Sequence, residues 1–272
     1  MREEAEETAR RGTEVAEQRE GKKTAILEKA KETKGEASEM AETYLGDEAD
    51  GLDGVTRAVR RQIGHGIDVV KVYADYRWGA RGEAAPTFSI DELRLIVETA
   101  RSSGRPVVAH ASTAEGMRRA VLAGVETIDH GDGGTPEVFR LMAERRVALC
   151  PTLAAGDAIS QYGGWKKGAG PEPERIAAKR SSFKAALDAG VTMCFGGDVG
   201  VYGHGDNVRE LELMVDYGMT SLDAIRSATS INARLFRLDN RLGSIRSGLL
   251  ADLIAVEGDP GAGIGALKRV RL

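Results

Sequence analysis

The stretch GRPVVAHASTAEGMRRAVLAGVETIDHG, residues 104–131, decides the fold class of this chain. It predicts a strand over 105–111, an amphipathic helix over 113–124 and a second strand over 125–131. A strand, a crossover helix and a second strand at this spacing indicate parallel strands joined by a right-handed connection. We therefore predict an α/β protein.

The same alternation continues on both sides of this stretch. Before it, the sequence predicts a helix over 54–66, the strand DVVKVYAD over 68–75 and a helix over 89–104 that begins with a capping box. After it, predicted helices alternate with strands, the helices over 135–146, 173–190, 207–218 and 221–236 and the strands over 147–153 and 191–198. About five parallel strands are recognisable. The pattern alone leaves open whether they form a barrel or an open sheet.

Composition excludes several classes of function. The formal charge of −4 argues against a nucleic-acid-binding protein, which would carry a basic stripe. No apolar run approaches the ~18 residues of a membrane span, and the charged amino terminus has no signal-peptide core. Cys150 and Cys194 are too few and too far apart for a disulfide framework, and we interpret them as buried thiols. We predict a cytoplasmic protein with no membrane partner and no nucleic-acid partner.

Residues 1–46 differ in composition from the rest of the chain. The first 44 residues hold 9 Lys or Arg and 12 Glu, with no Asp, Phe, Trp or Pro. Helix propensity is high but an apolar stripe is missing, so this leader is predicted to be a solvated helix or a disordered segment. We divide the chain into this leader, a barrel-like portion over 47–240 and a last segment over 241–272.

Polar residues with catalytic potential follow the ends of the predicted strands. Lys71 lies within DVVKVYAD, His110 and His130 close their strands, Asp198 closes CFGGD, and His204 lies in the next loop. Singly, each has a structural explanation: a histidine satisfied in the core, an aspartate that caps a turn, a lysine whose charge extends to the rim. A charged lysine in a buried strand would cost several kcal/mol without a partner. Together they mark one rim of one sheet, where parallel α/β folds place their active sites.

Residues from about 47 to 260 resemble the amidohydrolase superfamily, in its imidazolonepropionase-like and Xaa-Pro dipeptidase-like branch. The resemblance rests on VKVYA, residues 104–131, VALCPTL, AGVTMCFGGDVG and SATSINARLFRLDNRLGSIRSGLLADLIAV. It implies a (β/α)8-type TIM barrel, here with about five recognisable strands, and a small β-sandwich that 241–272 would represent in part. It also implies one or two divalent metals, commonly zinc, that activate water for attack on C–N bonds in amides, peptides or cyclic amides.

The resemblance assigns roles to individual residues. Lys71 matches the lysine that carries CO2 as a carbamate and bridges two metals, which would make its position beside cations favourable. His110 and His130 match histidine ligands, and Asp198 matches the aspartate that binds metal and accepts a proton from the activated water. Tyr73 and His204 flank the site and are predicted to contact a small-molecule substrate.

Two features of the family pattern are missing from the sequence. Residues 1–64 contain no histidine, so the His-x-His pair of the family's first strand has no counterpart, and the first three strands are not recognisable. The sequence therefore predicts either a hydrolase with a reduced metal site or a non-catalytic scaffold or assembly module. Because a partial parallel sheet leaves an open edge, a second copy of the chain could complete the barrel.

Overall fold

A parallel sheet forms the centre of the computed structural model, which describes residues 47–78 and 82–271. The strands in chain order are β1 (Val70–Tyr73), β2 (Asp75–Arg77), β3 (Ala84–Pro86), β4 (Val107–Ala111), β5 (Thr127–His130) and β6 (Ala148–Cys150). β1, β4, β5 and β6 are parallel neighbours in this order, and β2 and β3 form a separate antiparallel pair. Met193 adds an isolated parallel bridge to Leu149 of β6, at the place of a fifth strand. The α/β prediction with five parallel strand positions is therefore confirmed.

Helices follow the strands along the chain and pack side by side with their neighbours. In chain order they are α1 (Gly51–Gly64), α2 (Ile90–Ser102), α3 (Ala114–Ala123), α4 (Pro136–Arg145), α5 (Leu153–Tyr162), α6 (Glu174–Asp188), α7 (Val208–Asp216), α8 (Ser221–Arg226) and α9 (Asn232–Leu235). A π-helical turn, Ser227–Ile231, joins α8 to α9, and a short 3₁₀ helix spans Ile264–Lys268.

Side-chain caps explain where several helices begin. Ser89 accepts a hydrogen bond from the backbone of Glu92, and the Glu92 carboxylate returns to the Ser89 backbone, which completes the predicted capping box before α2. Thr113 and Thr135 cap α3 and α4 in the same way with their hydroxyl groups. Each such cap contributes about 1 kcal/mol to helix stability.

The core lies between the sheet and the apolar faces of these helices. Leu93 of α2, Met117 of α3 and Phe139 of α4 are fully buried, as is Ile128 of β5. Burial of each such side chain stabilises the fold by about 1.5–3 kcal/mol. The apolar residues whose periodicity predicted the helices therefore also form the hydrophobic core.

Three local predictions differ from the structure. Residues 153–162, predicted as strand end and loop, form α5. The single helix predicted over 221–236 is interrupted by the π-helical turn, where Ser227 and Thr229 donate side-chain hydrogen bonds to backbone carbonyls one turn earlier. The strand predicted over 191–198 pairs only around Met193 and becomes a loop at Gly196 and Gly197.

The last segment of the chain has little regular structure. Within 241–271, Val256 and Val270 form an isolated antiparallel bridge, and residues 251–255 are exposed. The interpretation of this segment as part of a β-sandwich stays a prediction. The predicted leader, 1–46, lies outside the described residues. None of the described helices has both the length and the apolar character needed to cross a membrane.

Candidate active site

A cavity of about 500 Å³ opens where the parallel strands end. Five of the six residues that the sequence predicted for the site line this cavity, namely Lys71, Tyr73, His110, His130 and Asp198. The sheet brings them together because the carboxyl ends of parallel strands meet at one edge. Further lining residues are Tyr76, Arg77, Ser112, Asp132, Thr152, Arg175 and Lys179.

His110 lies at the centre of a cluster of rings. Strand β4 alternates, so Ala109 and Ala111 point into the core while His110 faces the cavity. Its ring stacks on Tyr73 with centroids 4.8 Å apart and meets the His130 ring edge to face at 4.5 Å. Burial lowers the pKa of His110, although the nearby Asp75 carboxylate acts in the opposite direction. The imidazole is therefore neutral at neutral pH and has a lone pair available.

His130 is held at both its ring and its backbone. Its Nδ1 lies 2.7 Å from the Thr152 hydroxyl, and its carbonyl oxygen accepts a hydrogen bond from Lys179 Nζ at 2.7 Å. Burial, followed by the influence of His110, lowers the pKa of His130 to about 3. This second imidazole is also neutral and fixed in direction.

Left-handed backbone conformations concentrate at this rim. His130 has φ of 73°, Thr152 of 51° and Asp198 of 57°, and all three line the cavity. This conformation costs a non-glycine residue about 1–2 kcal/mol. Such strain persists only where surrounding contacts impose it, and it is typical of functional sites.

Lys71 is partly exposed, whereas the apolar strand pattern around it suggested that it is buried. Val70 and Val72 are buried, but Lys71 and Tyr73 face the cavity, and 40% of the Lys71 side chain is exposed. Its ammonium group forms an ion pair with Asp129 of β5. The apparent cost of a lysine in this strand is thus removed by access to solvent and by a carboxylate partner.

Asp198 and His204 lie in the loop that follows Met193. Asp198 is exposed and lines the cavity, as predicted. His204 is exposed as well but is absent from the described residues that form the cavity wall. Its contact with substrate stays a prediction.

The donor set fits a metal only in part. His110 and His130 supply two neighbouring neutral imidazoles, which are usual zinc ligands. Among the His, Cys, Asp and Glu residues that the structure describes, no three approach closely enough to hold an ion. A three-ligand site therefore needs Lys71, which must first leave Asp129 and lose its ammonium charge.

Sequence reasoning missed Asp75, which organises the turn after β4. Its fully buried carboxylate accepts hydrogen bonds from the backbone N–H and the hydroxyl of both Ser112 and Thr113, at 2.7–3.0 Å. It also lies 3.7 Å from His110 Nε2. The carboxylate needs Gly116 in α3, because a Cβ there would lie 2.3 Å from Asp75 Oδ2. The available signal was a charged residue directly after the strand VKVYA.

Sequence reasoning also missed Thr152 and Lys179. Lys179, on α6, is buried and forms an ion pair with Asp132 in addition to its bond to the His130 backbone. A lysine on the apolar face of the helix predicted over 173–190 was the only signal for this contact. Thr152 carried no signal, because a threonine that ends an apolar strand is common.

Comparisons with known proteins bear on the family and the fold of this chain. A family model described as the amidohydrolase family matches residues 4–270. An ochratoxinase from Aspergillus niger is 34% identical over 220 residues, which cover 78% of this chain and 45% of the ochratoxinase. The chain thus spans about half the length of the curated relatives it matches.

Solved structures extend the comparison. A crystal structure of a Xaa-Pro dipeptidase with methionine bound in its active site is 36% identical, with a TM-score of 0.74, and the match covers 82% of this chain and 56% of that chain. A prolidase complexed with N-methylphosphonate-L-proline is 33% identical, with a TM-score of 0.71, covering 82% of this chain and 57% of that chain. The described sheet is the corresponding part of a (β/α)8-type barrel, as predicted. The family model covers nearly the whole chain and the solved structures share its fold, so the chain belongs to the amidohydrolase family.

Proposed function

We propose that this chain carries the active site of a metal-dependent hydrolase that cleaves C–N bonds in amides, peptides or cyclic amides. The observation that carries the proposal is the shared cavity that Lys71, His110, His130 and Asp198 all line. An ochratoxinase and a prolidase among the similar proteins support the same reaction class.

In this proposal His110 and His130 hold one divalent ion, most simply zinc, with Lys71 as the third ligand. CO2 would add to the neutral Lys71 amine and release a proton, which converts the side chain to a carbamate anion that suits a cation. A bound metal supplies Lewis acidity, which polarises a carbonyl group and lowers the pKa of water toward ~7.

The remaining steps depend on side chains of this chain. In this proposal Asp198 accepts the proton of the attacking water, because this exposed aspartate lines the cavity from the loop after Met193. Thr152 keeps the ring of His130 in place through the 2.7 Å contact with Nδ1. Tyr73 covers one side of His110 and limits the access of water to it.

Two arginines favour an anionic substrate. Arg77 and Arg175 line the cavity, and guanidinium groups form strong paired hydrogen bonds with carboxylates. Dipeptides and N-acyl amino acids, with a free carboxylate beside the scissile amide, are therefore the first substrates to test.

The experiment measures hydrolysis of a dipeptide and N-acyl amino acid panel by protein reconstituted with zinc and bicarbonate. Asp198→Asn should lower kcat at least ~100-fold, since general-base catalysis contributes about 10²–10⁴-fold. Asp206→Asn, in the same loop and outside the cavity lining, is the matched control and should leave the rate unchanged. Equal rates for both variants would refute the assigned role of Asp198.

The alternative function is a non-catalytic scaffold or assembly module. Two observations favour it: Lys71 is paired with Asp129, and no three described His, Cys, Asp or Glu residues form a metal cluster. Under this alternative, zinc and bicarbonate treatment leaves far less than one metal ion per chain by elemental analysis, and no panel member is cleaved.

A further inference from the structure

Glu210 is a buried carboxylate that the proposed reaction does not use. It lies on α7, has no exposed surface and does not contribute to the wall of the cavity. Burial raises its pKa to about 7, against the lowering effect of the backbone N–H groups that it binds. Burial of a carboxylate costs free energy unless hydrogen bonds compensate for it, so the contacts of Glu210 indicate its role.

The contacts of Glu210 are with the first turn of α5. Its two carboxylate oxygens accept hydrogen bonds from the N–H of Leu153 at 2.9 Å and of Ala154 at 2.6 Å. These N–H groups have no partner within their own helix, and a negative charge is favourable at this end. Glu210 therefore fixes the start of α5 from a residue 56 positions away in sequence.

The residue directly before α5 is Thr152, which contacts His130. Thr152 has left-handed backbone angles and makes no side-chain cap to α5. Its hydroxyl is instead turned to Nδ1 of His130 at 2.7 Å. A shift of the first turn of α5 would move this hydroxyl, so the ring position of His130 depends on Glu210.

Glu210 also lies close to the loop that carries Asp198. A Cβ on Gly197 would lie 3.5 Å from Cβ of Glu210 and 2.0 Å from the hydroxyl of Tyr202. Gly197 precedes Asp198. The buried side chain of Glu210 thus supports the backbone next to two residues of the cavity, Thr152 and Asp198.

We propose that Glu210 is a positioning residue of the site: by holding the start of α5 it fixes Thr152, which accepts a hydrogen bond from Nδ1–H of His130 and leaves Nε2 free as a ligand. This inference deepens the proposed function and rests on it for the consequence in catalysis. The effect of Glu210 on the position of the His130 ring needs neither metal nor substrate. Partners of this kind around metal-binding histidines change metal affinity or activity about 10–100-fold when they are removed.

The test compares Glu210→Gln with Glu212→Gln in the whole 272-residue chain. The amide introduced by Glu210→Gln would offer one acceptor and turn an NH2 group toward the second N–H donor, so one hydrogen bond is lost. Glu212, on the same helix, pairs with Lys268 at the surface and provides the matched control. The primary measurement is the ¹⁵N spectrum of the histidine rings, which reports the ring nitrogen that carries the proton, with His130→Asn used for assignment.

We expect Glu210→Gln to shift the His130 ring signals toward the other tautomer or a mixture, while Glu212→Gln leaves them in place. Thr152→Val should produce the same shift, because it removes the hydroxyl directly. In zinc-loaded protein, Glu210→Gln should weaken metal affinity about tenfold or more. Unchanged His130 signals in folded Glu210→Gln would overturn the proposal.

Two further results separate the possible failures. If Glu210→Gln does not fold, Glu210→Asp keeps the charge and shortens the side chain by one methylene, and the same comparison of His130 signals decides. If the wild-type chain cleaves no substrate, the ring spectra still decide whether Glu210 positions His130. Loss of the proposed function is thereby distinguished from loss of the positioning role.

Discussion

At the scale of single residues, the site combines two neutral histidines with a lysine that is paired with Asp129. Burial keeps both imidazoles neutral, as metal binding requires. The Lys71–Asp129 pair opposes the conversion of Lys71 to a carbamate, because the carboxylate favours a cation beside it. Metal binding of the kind proposed here would therefore require this ion pair to break.

The lowered pKa of His130 makes stability depend on pH. An unfolded chain binds a proton at His130 below pH 6.5, whereas the folded chain does so only near 3. Stability is therefore lost as the pH falls from 6.5 toward 3, by at most ~1.4 kcal/mol per pH unit from this group. Urea midpoints at several pH values should decline less steeply in His130→Asn than in the wild type.

His204→Asn is the control for this measurement, since His204 is exposed. It should reproduce the wild-type slope. A wild-type slope in His130→Asn would contradict the neutral state assigned to His130.

At the scale of secondary-structure elements, contacts between a strand and the next helix determine the rim. Asp75 ties the end of β1 and the start of β2 to the first turn of α3, and Lys179 ties the end of β5 to α6. Both are single polar side chains that reach backbone groups 38 and 49 residues away in sequence. The helices thus hold the loops in place as well as covering the core.

Two helical glycines should respond to alanine in opposite directions. Alanine normally stabilises a helix interior by about 1 kcal/mol relative to glycine. Gly54→Ala in α1 should show this gain, because its Cβ meets the nearest atom at an ordinary 3.8 Å. Gly116→Ala should instead lower stability by roughly 2 kcal/mol or more, since the new Cβ displaces the buried Asp75 carboxylate.

Thermal denaturation of the two variants beside the wild type provides the measurement. A gain in Tm for both substitutions would mean that Asp75 moves aside without cost. In that case its hydrogen bonds to Ser112 and Thr113 would not control the turn.

At the scale of the whole molecule, binding at the rim should stabilise the fold, because the site joins residues from several strands. Zinc at ~100 times its dissociation constant should add about 2.7 kcal/mol, or about 5–10 °C in Tm for a domain of this size. The double variant His110→Asn/His130→Asn should lose this shift. His65→Asn, at the exposed end of α1, should retain it. An equal shift in the double variant would place the metal elsewhere.

Much of this architecture could be predicted from sequence because the signals were local. Apolar periodicity located the strands and most helices, and Ser89 with Glu92 located the start of α2. Helix α5 was missed because LAAGDAISQY has a weak apolar stripe and contains Gly156, which favours a loop. Its start also depends on Glu210, a partner that no local pattern reveals.

The residues of the site also fall into two groups, those that the sequence pattern reveals and those that only the structure reveals. Lys71, His110, His130 and Asp198 could be found because each interrupts or ends an apolar strand. Asp75, Thr152 and Lys179 act through groups that become neighbours only after folding. Their residue types are ordinary where they occur, so only the structure reveals their contacts.

The left-handed backbone at His130, Thr152 and Asp198 has a consequence for protein engineering. Glycine or asparagine would relieve the conformational cost at each position, so selection for heat resistance alone should enrich these replacements. Every such exchange at His130 or Asp198 removes an imidazole or a carboxylate from the cavity. A library screened only for thermal tolerance should therefore drift toward a more stable molecule whose rim has lost these groups, unless selection for turnover is applied in the same round.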